Sequence, residues 1–161
     1  MKKLDFLNKL KNEGKLELVE PSLDICESYL EKAGNSMKAA KILAQNNLYE
    51  NSVSMSYYAM YNSLTALLFR VGIKSENHSA SIIIFKELFG RIDLYKMISF
   101  AKKERIDKQY YVDFTLTKES AEDLAKKAED FLVKMKLIIK NLKNDDILRV
   151  RKEFSALLRS S

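Results

Sequence analysis

The stretch "YENSVSMSYYAMYNSLTALLFRVG", residues 49–72, predicts a long helix at the centre of the fold. Its large apolar and aromatic side chains recur every three or four residues, which is the period of an α-helix. They are Val53, Tyr57, Met60, Tyr61, Leu64, Leu67, Leu68 and Val71. We therefore expect a helix over about residues 49–71 that is buried on most sides and ends at Gly72.

The composition of the whole chain favours a helical protein. Its 161 residues include only four glycines and one proline, while 47% are apolar and 31% are charged. Many helix formers and few chain breakers are typical of all-helical domains, and a chain of this length is expected to form one domain. We predict an all-α fold, an antiparallel up-and-down bundle of four to six helices, in a single domain over residues 1–161.

Amphipathic patterns on both sides of the central stretch supply the other helices. They cover about residues 1–15, 21–45, 78–90, 92–103, 117–142 and 145–161. The first and last of these are predicted to flank a core over about residues 20–140.

The second pattern in this series, residues 21–45, has its own predicted start and inner face. Pro21 suits the first turn of a helix. The side chains expected to face the core are Ile25, Tyr29, Met37, Ala40 and Leu43 or Ala44.

Charge and cysteine content narrow the classes of function. Lysine and arginine exceed aspartate and glutamate by 28 to 22, a net charge of +6 that favours anionic partners without identifying a nucleic-acid binder. Cys26 is the only cysteine and His78 the only histidine, so we expect no intramolecular disulfide, no metal site and no cofactor. Without a signal peptide or a long apolar run, we expect a cytoplasmic protein with no membrane contact.

Three tyrosines of the central stretch, Tyr57, Tyr58 and Tyr61, have two interpretations. Their phenol rings could form a ligand platform, or they could pack in the core or at a subunit interface. Tyr58 lies off the main apolar stripe and is therefore the one best placed for a dimer interface or a cleft.

His78 also has two interpretations, because it opens the predicted helix 78–90. A neutral imidazole there could act as a general base or bind an anion. The alternative is a structural role in a helix start whose capping oxygen comes from Ser75 or Asn77.

The segment "AKKERIDKQYYVDF", residues 101–114, is the only place where several cations lie beside two adjacent tyrosines. Arginine and lysine can bind phosphates and tyrosine can stack on a base, so single-stranded RNA or a nucleotide is a suitable ligand. The candidate binding residues are Lys102, Arg105, Lys108, Tyr110 and Tyr111. The alternative is a mixed-charge connector whose tyrosines cover the end of the bundle.

Residues 52–89, "SVSMSYYAMYNSLTALLFRVGIKSENHSASIIIFKELF", resemble the HEPN domain, a family named for nucleotide binding in higher eukaryotes and prokaryotes. One prokaryotic subgroup has a similar tyrosine-rich helix, a Gly-Ile break and a His-Ser pair that starts the next helix. The resemblance continues beyond residue 100 and covers roughly residues 20–140. It implies a helical bundle, usually a homodimer, often produced with a minimal nucleotidyltransferase as a toxin–antitoxin pair.

The resemblance also implies where catalytic residues would lie. Active members are metal-independent ribonucleases in which four to six residues separate an arginine from the histidine that follows it. Arg105 matches the arginine, but Tyr110 stands in the histidine position and Ile106 stands where a polar residue is preferred. An unperturbed tyrosine titrates at a pH of about 10, so it exchanges protons poorly near neutral pH.

We therefore expect a dimeric protein that binds a nucleotide, RNA or a nucleotidyltransferase through the edge from Arg105 to Tyr111, without cleaving RNA. Two alternatives remain open. One is an endoribonuclease toxin that uses Arg105 with His78 or Tyr110. The other is a protein-interaction module whose tyrosines in residues 49–71 only build the dimer.

Overall fold

Seven helices and one short sheet make up the part of the chain that the computed structural model describes, which is residues 2–110 and 116–159, with side chains for 2–106 and 116–159. In chain order the elements are α1 (Lys2–Asn12), β1 (Leu16–Leu18), α2 (Leu23–Gln45), α3 (Tyr49–Val71), β2 (Ile73–Ser75), α4 (His78–Phe89), α5 (Ile92–Tyr110), α6 (Lys118–Asn141) and α7 (Asn144–Arg159). The predicted all-α class is confirmed. The structure adds two short antiparallel strands. Its described helices are the five of the predicted core and the two predicted flanking helices, seven where a bundle of four to six was expected.

Helix α3 occupies the predicted residues and lies at the centre of the fold. It contacts α2 along much of its length, and it also contacts α4, α5, α6, α7 and β2. The side chains of Tyr57, Met60 and Leu64 are fully buried, while Tyr61 is half-buried. Since burying one large apolar side chain contributes about 1.5–3 kcal/mol, this one helix supplies a large share of the stability of the core.

Helix α2 begins differently from the prediction. Its first residue is Leu23, and the hydroxyl of Ser22 caps it by accepting a hydrogen bond of 3.1 Å from the backbone N–H of Ile25. The prediction that Pro21 lies in the first turn is wrong, since Pro21 precedes this cap. A serine oxygen satisfies one of the free N–H groups at the helix start, which a proline ring cannot do.

The inner face of α2 agrees with the prediction at Met37, Ala40 and Ala44 and differs from it at Ile25. Its buried residues are Cys26, Ala33, Met37, Ala40 and Ala44, whereas Ile25 is 41% exposed. Tyr29 is half-buried and its ring stacks on that of Phe69 at a centroid distance of 5.5 Å. Small side chains such as Ala33 and Ala40 let α2 lie close against α3, so the inward face follows the alanines rather than the largest apolar residues.

Helix α5 continues through Tyr110, well beyond the predicted end at residue 103. Residues 101–110 are therefore helical, and the interpretation of this part of the segment as a connector is wrong. Tyr111 lies outside the described residues, as do the side chains of Lys108 and Tyr110.

Arg151 of α7 holds together the end of α3 and the chain before α2. One nitrogen of its guanidinium group donates to the carbonyl oxygens of Val19, Val71 and Gly72, at 2.7, 3.1 and 3.0 Å. Gly72 ends α3 with a left-handed backbone (φ 79°), and its carbonyl accepts a 2.8 Å hydrogen bond from the N–H of Val19. A Cβ at Gly72 would lie 2.4 Å from the Val19 oxygen, so this junction needs glycine for both space and conformation.

No helix within residues 2–110 and 116–159 combines the length and the apolar character that crossing a bilayer requires.

We predict that Gly72→Ala lowers the free energy of unfolding by more than about 2 kcal/mol, because the left-handed backbone is strained and the Val19 carbonyl must move. Gly90→Ala is the matched control: Gly90 is also left-handed (φ 65°), but an added Cβ would meet nothing within 4 Å. Gly90→Ala should lower the free energy of unfolding by about 1 kcal/mol, which is the cost of the backbone conformation alone. Urea unfolding followed by circular dichroism measures both, and equal losses would contradict the steric account of the Arg151 junction.

Candidate functional site

Four rings and one guanidinium group meet where α3, α4 and α5 come together. Tyr57, Tyr58 and Tyr61 lie on α3, His78 is the first residue of α4, and Arg105 lies on α5. We call these five residues the His78 cluster. The helical spacing of the tyrosines places Tyr57 and Tyr61 one turn apart on the same face of α3.

His78 is fixed by contacts with all three tyrosines. Its ring stacks on Tyr61, with centroids 3.7 Å apart and planes within 16°. The hydroxyl of Tyr57 lies 2.8 Å from Nδ1, and the ring of Tyr58 approaches edge-on at 6.3 Å. The helix cap is Asn77, one of the two expected residues, whose side chain accepts from the N–H of Ala80 at 3.0 Å. His78 therefore does not serve as the cap.

Arg105 lies over the same tyrosines. Its guanidinium carbon is 5.1 Å from the ring centroid of Tyr58 and 5.7 Å from that of Tyr57, within the range of cation–π attraction. The Nε atom is buried and has no hydrogen-bond partner in the described part of the chain. Leaving a buried donor unpaired is unfavourable by about 1–3 kcal/mol.

Lys102 adds a second cation one turn before Arg105 on α5. Its ammonium group donates to the hydroxyl of Ser79 at 2.5 Å. Neither Lys102 nor Arg105 forms an ion pair with any carboxylate among residues 2–106 and 116–159. Glu104 lines a different cavity, together with Thr117. The two cations therefore lack a described counter-charge.

The protonation of the site follows from this arrangement. Burial, reinforced by the charges of Arg105 and Lys102, lowers the pKa of His78. Burial also lowers the pKa of Lys102, with a further contribution from Arg105, and burial raises the pKa of Tyr57. At neutral pH the imidazole is thus uncharged and the Tyr57 phenol protonated, and bound negative charge would relieve the repulsion between the cations.

Serines around the start of α4 were not among the predicted site residues. The hydroxyl of Ser81 donates at 2.8 Å to Ser75 or at 3.0 Å to the Asn77 carbonyl, and lies 3.3 Å from the hydroxyl of Tyr61. Ser79 contacts Lys102. The only signal in the sequence was that Ser79 and Ser81 follow His78 within one turn. Serines in such positions are also typical of a helix start with no further role.

Two open cavities flank the cluster. The first, which we call the α4–α5 groove, has a volume of about 410 Å³ and is lined by Ser79, Ile82, Ile83, Tyr95, Ser99, Lys102, Lys103 and Ile106. The second, which we call the α3 cavity, has a volume of about 320 Å³ and is lined by Leu43, Asn51, Ser54, Met55, Tyr58 and Arg105. A ligand bound at Arg105 and Lys102 could therefore extend in either direction.

The structure thus brings together most of the residues singled out from the sequence. Arg105 and His78 adjoin the tyrosines of α3, with Tyr57 in the interior and Tyr58 at a cavity, and Lys102 lies one turn from Arg105 against Ser79. Among the described residues, no three histidine, cysteine, aspartate or glutamate side chains are grouped so that they could hold a metal ion.

Comparison with known proteins gives the same family as the sequence pattern. The HEPN domain model matches residues 26–138, which include α3, α4 and α5. Two proteins of Methanocaldococcus jannaschii, each named "putative toxin", are 32% and 30% identical over 123 and 126 residues, covering 72% of this chain and 84% and 90% of the relatives. A UPF0332 protein of Archaeoglobus fulgidus is 30% identical over 118 residues, which are 71% of this chain and 94% of the relative. The chain therefore belongs to the HEPN domain family.

Proposed function

We propose that this protein binds single-stranded RNA or a nucleotide through its phosphate groups at the His78 cluster and Lys102. The observation that carries the proposal is the pair of cations on α5, which lacks a described carboxylate partner. Arg105 of this pair lies against tyrosine rings, and Lys102 donates to the hydroxyl of Ser79. Arginine offers a planar set of donors that matches a phosphate, and stacking on Tyr57 and Tyr58 orients that set. Lys102 adds a second positive charge within one turn.

The biological setting that we propose is a cytoplasmic toxin–antitoxin system. Two relatives are named as toxins, and the resemblance to the HEPN subgroup supports a homodimer with a minimal nucleotidyltransferase as partner. Sedimentation of the purified protein tests the dimer. Co-purification with the product of a neighbouring nucleotidyltransferase gene tests the partner, and a monomer that captures no such product would contradict this setting.

The hydrogen bond between Tyr57 and His78 bears on whether the protein also cleaves RNA. The buried hydroxyl proton of Tyr57 has one described acceptor, Nδ1 of His78. If Tyr57 donates this hydrogen bond, the neutral imidazole carries its own proton on Nε2. In that form His78 can donate to a phosphate oxygen but cannot remove a proton from a ribose hydroxyl.

The opposite tautomer would leave the hydroxyl proton of Tyr57 buried without a described acceptor. Such an unpaired donor is unfavourable by about 1–3 kcal/mol. The geometry therefore supports binding without cleavage, with His78 as a neutral donor rather than a general base.

One observation favours a second candidate function, a metal-independent endoribonuclease. His78 and Arg105 both contact Tyr57 and Tyr58, so the only imidazole of the chain lies beside the arginine of the family motif. In such a reaction His78, in the tautomer with a free Nε2 lone pair, would take the proton of the 2'-hydroxyl while the 2'-oxygen bonds to phosphorus. The bond to the 5'-oxygen would break, that oxygen would take up a proton from the imidazolium, and Arg105 would stabilise the added negative charge.

We predict that Arg105→Ala weakens the binding of a single-stranded RNA by about tenfold or more. It should also reduce the slope of log affinity against log salt concentration by about one, which corresponds to the loss of one phosphate contact. Arg105→Lys should recover part of the affinity, because it keeps the charge but loses the forked donor geometry. The matched control is Arg149→Ala, which removes an exposed arginine of α7. Fluorescence anisotropy at several salt concentrations measures these effects, and equal losses in Arg105→Ala and Arg149→Ala would rule out the cluster as the binding site.

We predict that His78 titrates below 6.5 in the folded protein and that Tyr57→Phe raises its pKa, because the hydrogen bond from Tyr57 stabilises the neutral imidazole. The chain has one histidine, so proton NMR reports this pKa without assignment. Since the unfolded state takes up the proton first, stability should fall as the pH drops from about 6.5 towards the folded pKa. His78→Gln should remove that part of the pH dependence. A normal pKa that Tyr57→Phe leaves unchanged would refute the assigned hydrogen bond.

We predict that the purified protein leaves single-stranded RNA intact. Gel analysis after incubation in the presence of a chelator is the measurement, with Arg105→Ala and His78→Ala as matched variants. Cleavage by the native chain that both substitutions abolish would establish the endoribonuclease alternative and overturn the non-cleaving assignment.

A further inference from the structure

The α4–α5 groove has the size and lining of a small-molecule site. Its volume of about 410 Å³ lies within the range of about 300–1,000 Å³ that is typical of ligand pockets. Ile82 and Ile83 supply an apolar wall from α4, and Tyr95 supplies an aromatic ring from α5. The hydroxyl of Ser99 and the ammonium groups of the lysines add polar groups at the side of this apolar wall.

The aromatic ring in the groove is held in place. The ammonium group of Lys86 lies 4.7 Å from the ring centroid of Tyr95, within cation–π distance. Tyr95 is half-buried and packs against the hydrophobic core. A ring that is already fixed loses little conformational freedom when a flat ligand stacks on it, which favours binding.

The groove shares Lys102 with the proposed phosphate site. Lys102 lines the groove and lies one turn from Arg105, and Ile106 of the groove directly follows Arg105 in sequence. Three residues of α-helix rise by about 4.5 Å, a separation that one ribose can span. A phosphate bound by Lys102 and Arg105 would therefore leave the rest of its nucleotide at the entrance to the groove.

We infer that the α4–α5 groove binds the base of the nucleotide whose phosphate lies at Lys102 and Arg105. This inference rests on the proposed function and adds the part of the ligand that the cations cannot recognise. A nucleobase has apolar faces that suit Ile83 and Tyr95, and a polar edge that suits the hydroxyl of Ser99. Stacking depends little on the kind of base, so the groove should favour base-bearing ligands without a strict sequence preference.

The test compares two ligands of the native protein. One is a fluorescently labelled single-stranded RNA of four nucleotides, and the other is a ribose–phosphate chain of the same length without bases. Because base stacking on an aromatic ring contributes to binding, the base-bearing ligand should bind about tenfold tighter. Equal affinities would overturn the inference while leaving phosphate binding in place. If neither ligand binds, the proposed function itself fails.

Two matched substitutions locate the base. Ser99→Tyr fills the α4–α5 groove, and Ser54→Tyr fills the α3 cavity on the other side of Arg105. We expect Ser99→Tyr to abolish the preference for the base-bearing ligand and Ser54→Tyr to retain it. The reverse result would place the base in the α3 cavity and overturn the inference.

Circular dichroism checks that both variants fold. Should Ser99→Tyr fail to fold, Tyr95→Leu is the second variant, since it removes the aromatic face but keeps apolar volume. It should reduce the preference at least severalfold, and an unchanged preference would count against the groove.

Discussion

The rest of the structure depends on the burial of α3, which is surrounded by other elements on most sides. An apolar helix in this position is stabilised by its packing, but a buried polar side chain that it carries is unfavourable unless it finds a partner inside the protein. Ser52 finds one by donating to the carbonyl of Ala40 on α2 at 2.7 Å, and Ser63 by donating to the carbonyl of Met60 at 2.7 Å. Ser56 is an exception, since its buried hydroxyl has no hydrogen-bond partner among the described residues. Tyr57 is the largest of these polar residues, and its partner is His78. The contact at the centre of the candidate site is thus also a requirement of the core.

The same constraint gives the site its electrostatic character. Because α3 is enclosed, the ends of α4 and α5 that contact its tyrosines are only partly exposed to water. His78 and Lys102 therefore lie in a partly dehydrated environment next to the guanidinium group of Arg105. The loss of hydration and the nearby positive charge lower the pKa of both side chains. Two cations without a described counter-charge are unfavourable there unless an anion binds. The packing of the helices thus produces the partly buried pair of cations at which we propose that phosphate binds.

The sequence predicted α3 to the residue, because a strong helical period and Gly72 define both of its ends. It predicted only part of the inward face of α2, where Met37, Ala40 and Ala44 are buried as expected but Ile25 is exposed. It also ended α5 too early, because the charged second half of that helix resembles a connector. For the site, Arg105 and His78 were each identified as candidates. Their proximity could not be predicted, since it depends on the packing of α4 and α5 against the tyrosines of α3 rather than on any local pattern.

The pairing of Tyr57 with His78 connects the stability of the fold with the kind of chemistry open to the site. A general base needs a free lone pair, but the lone pair of Nδ1 is engaged by the Tyr57 hydroxyl when that hydroxyl donates. The remaining N–H group can still donate to a phosphate oxygen, and it does so without becoming charged. A bound phosphate would offset the repulsion from Arg105 and Lys102, yet it would also exclude water from the imidazole, so its two effects on the pKa of His78 oppose each other. The proposed binding through a neutral donor therefore does not require protonation of His78, and we expect it to persist above neutral pH as well as below it.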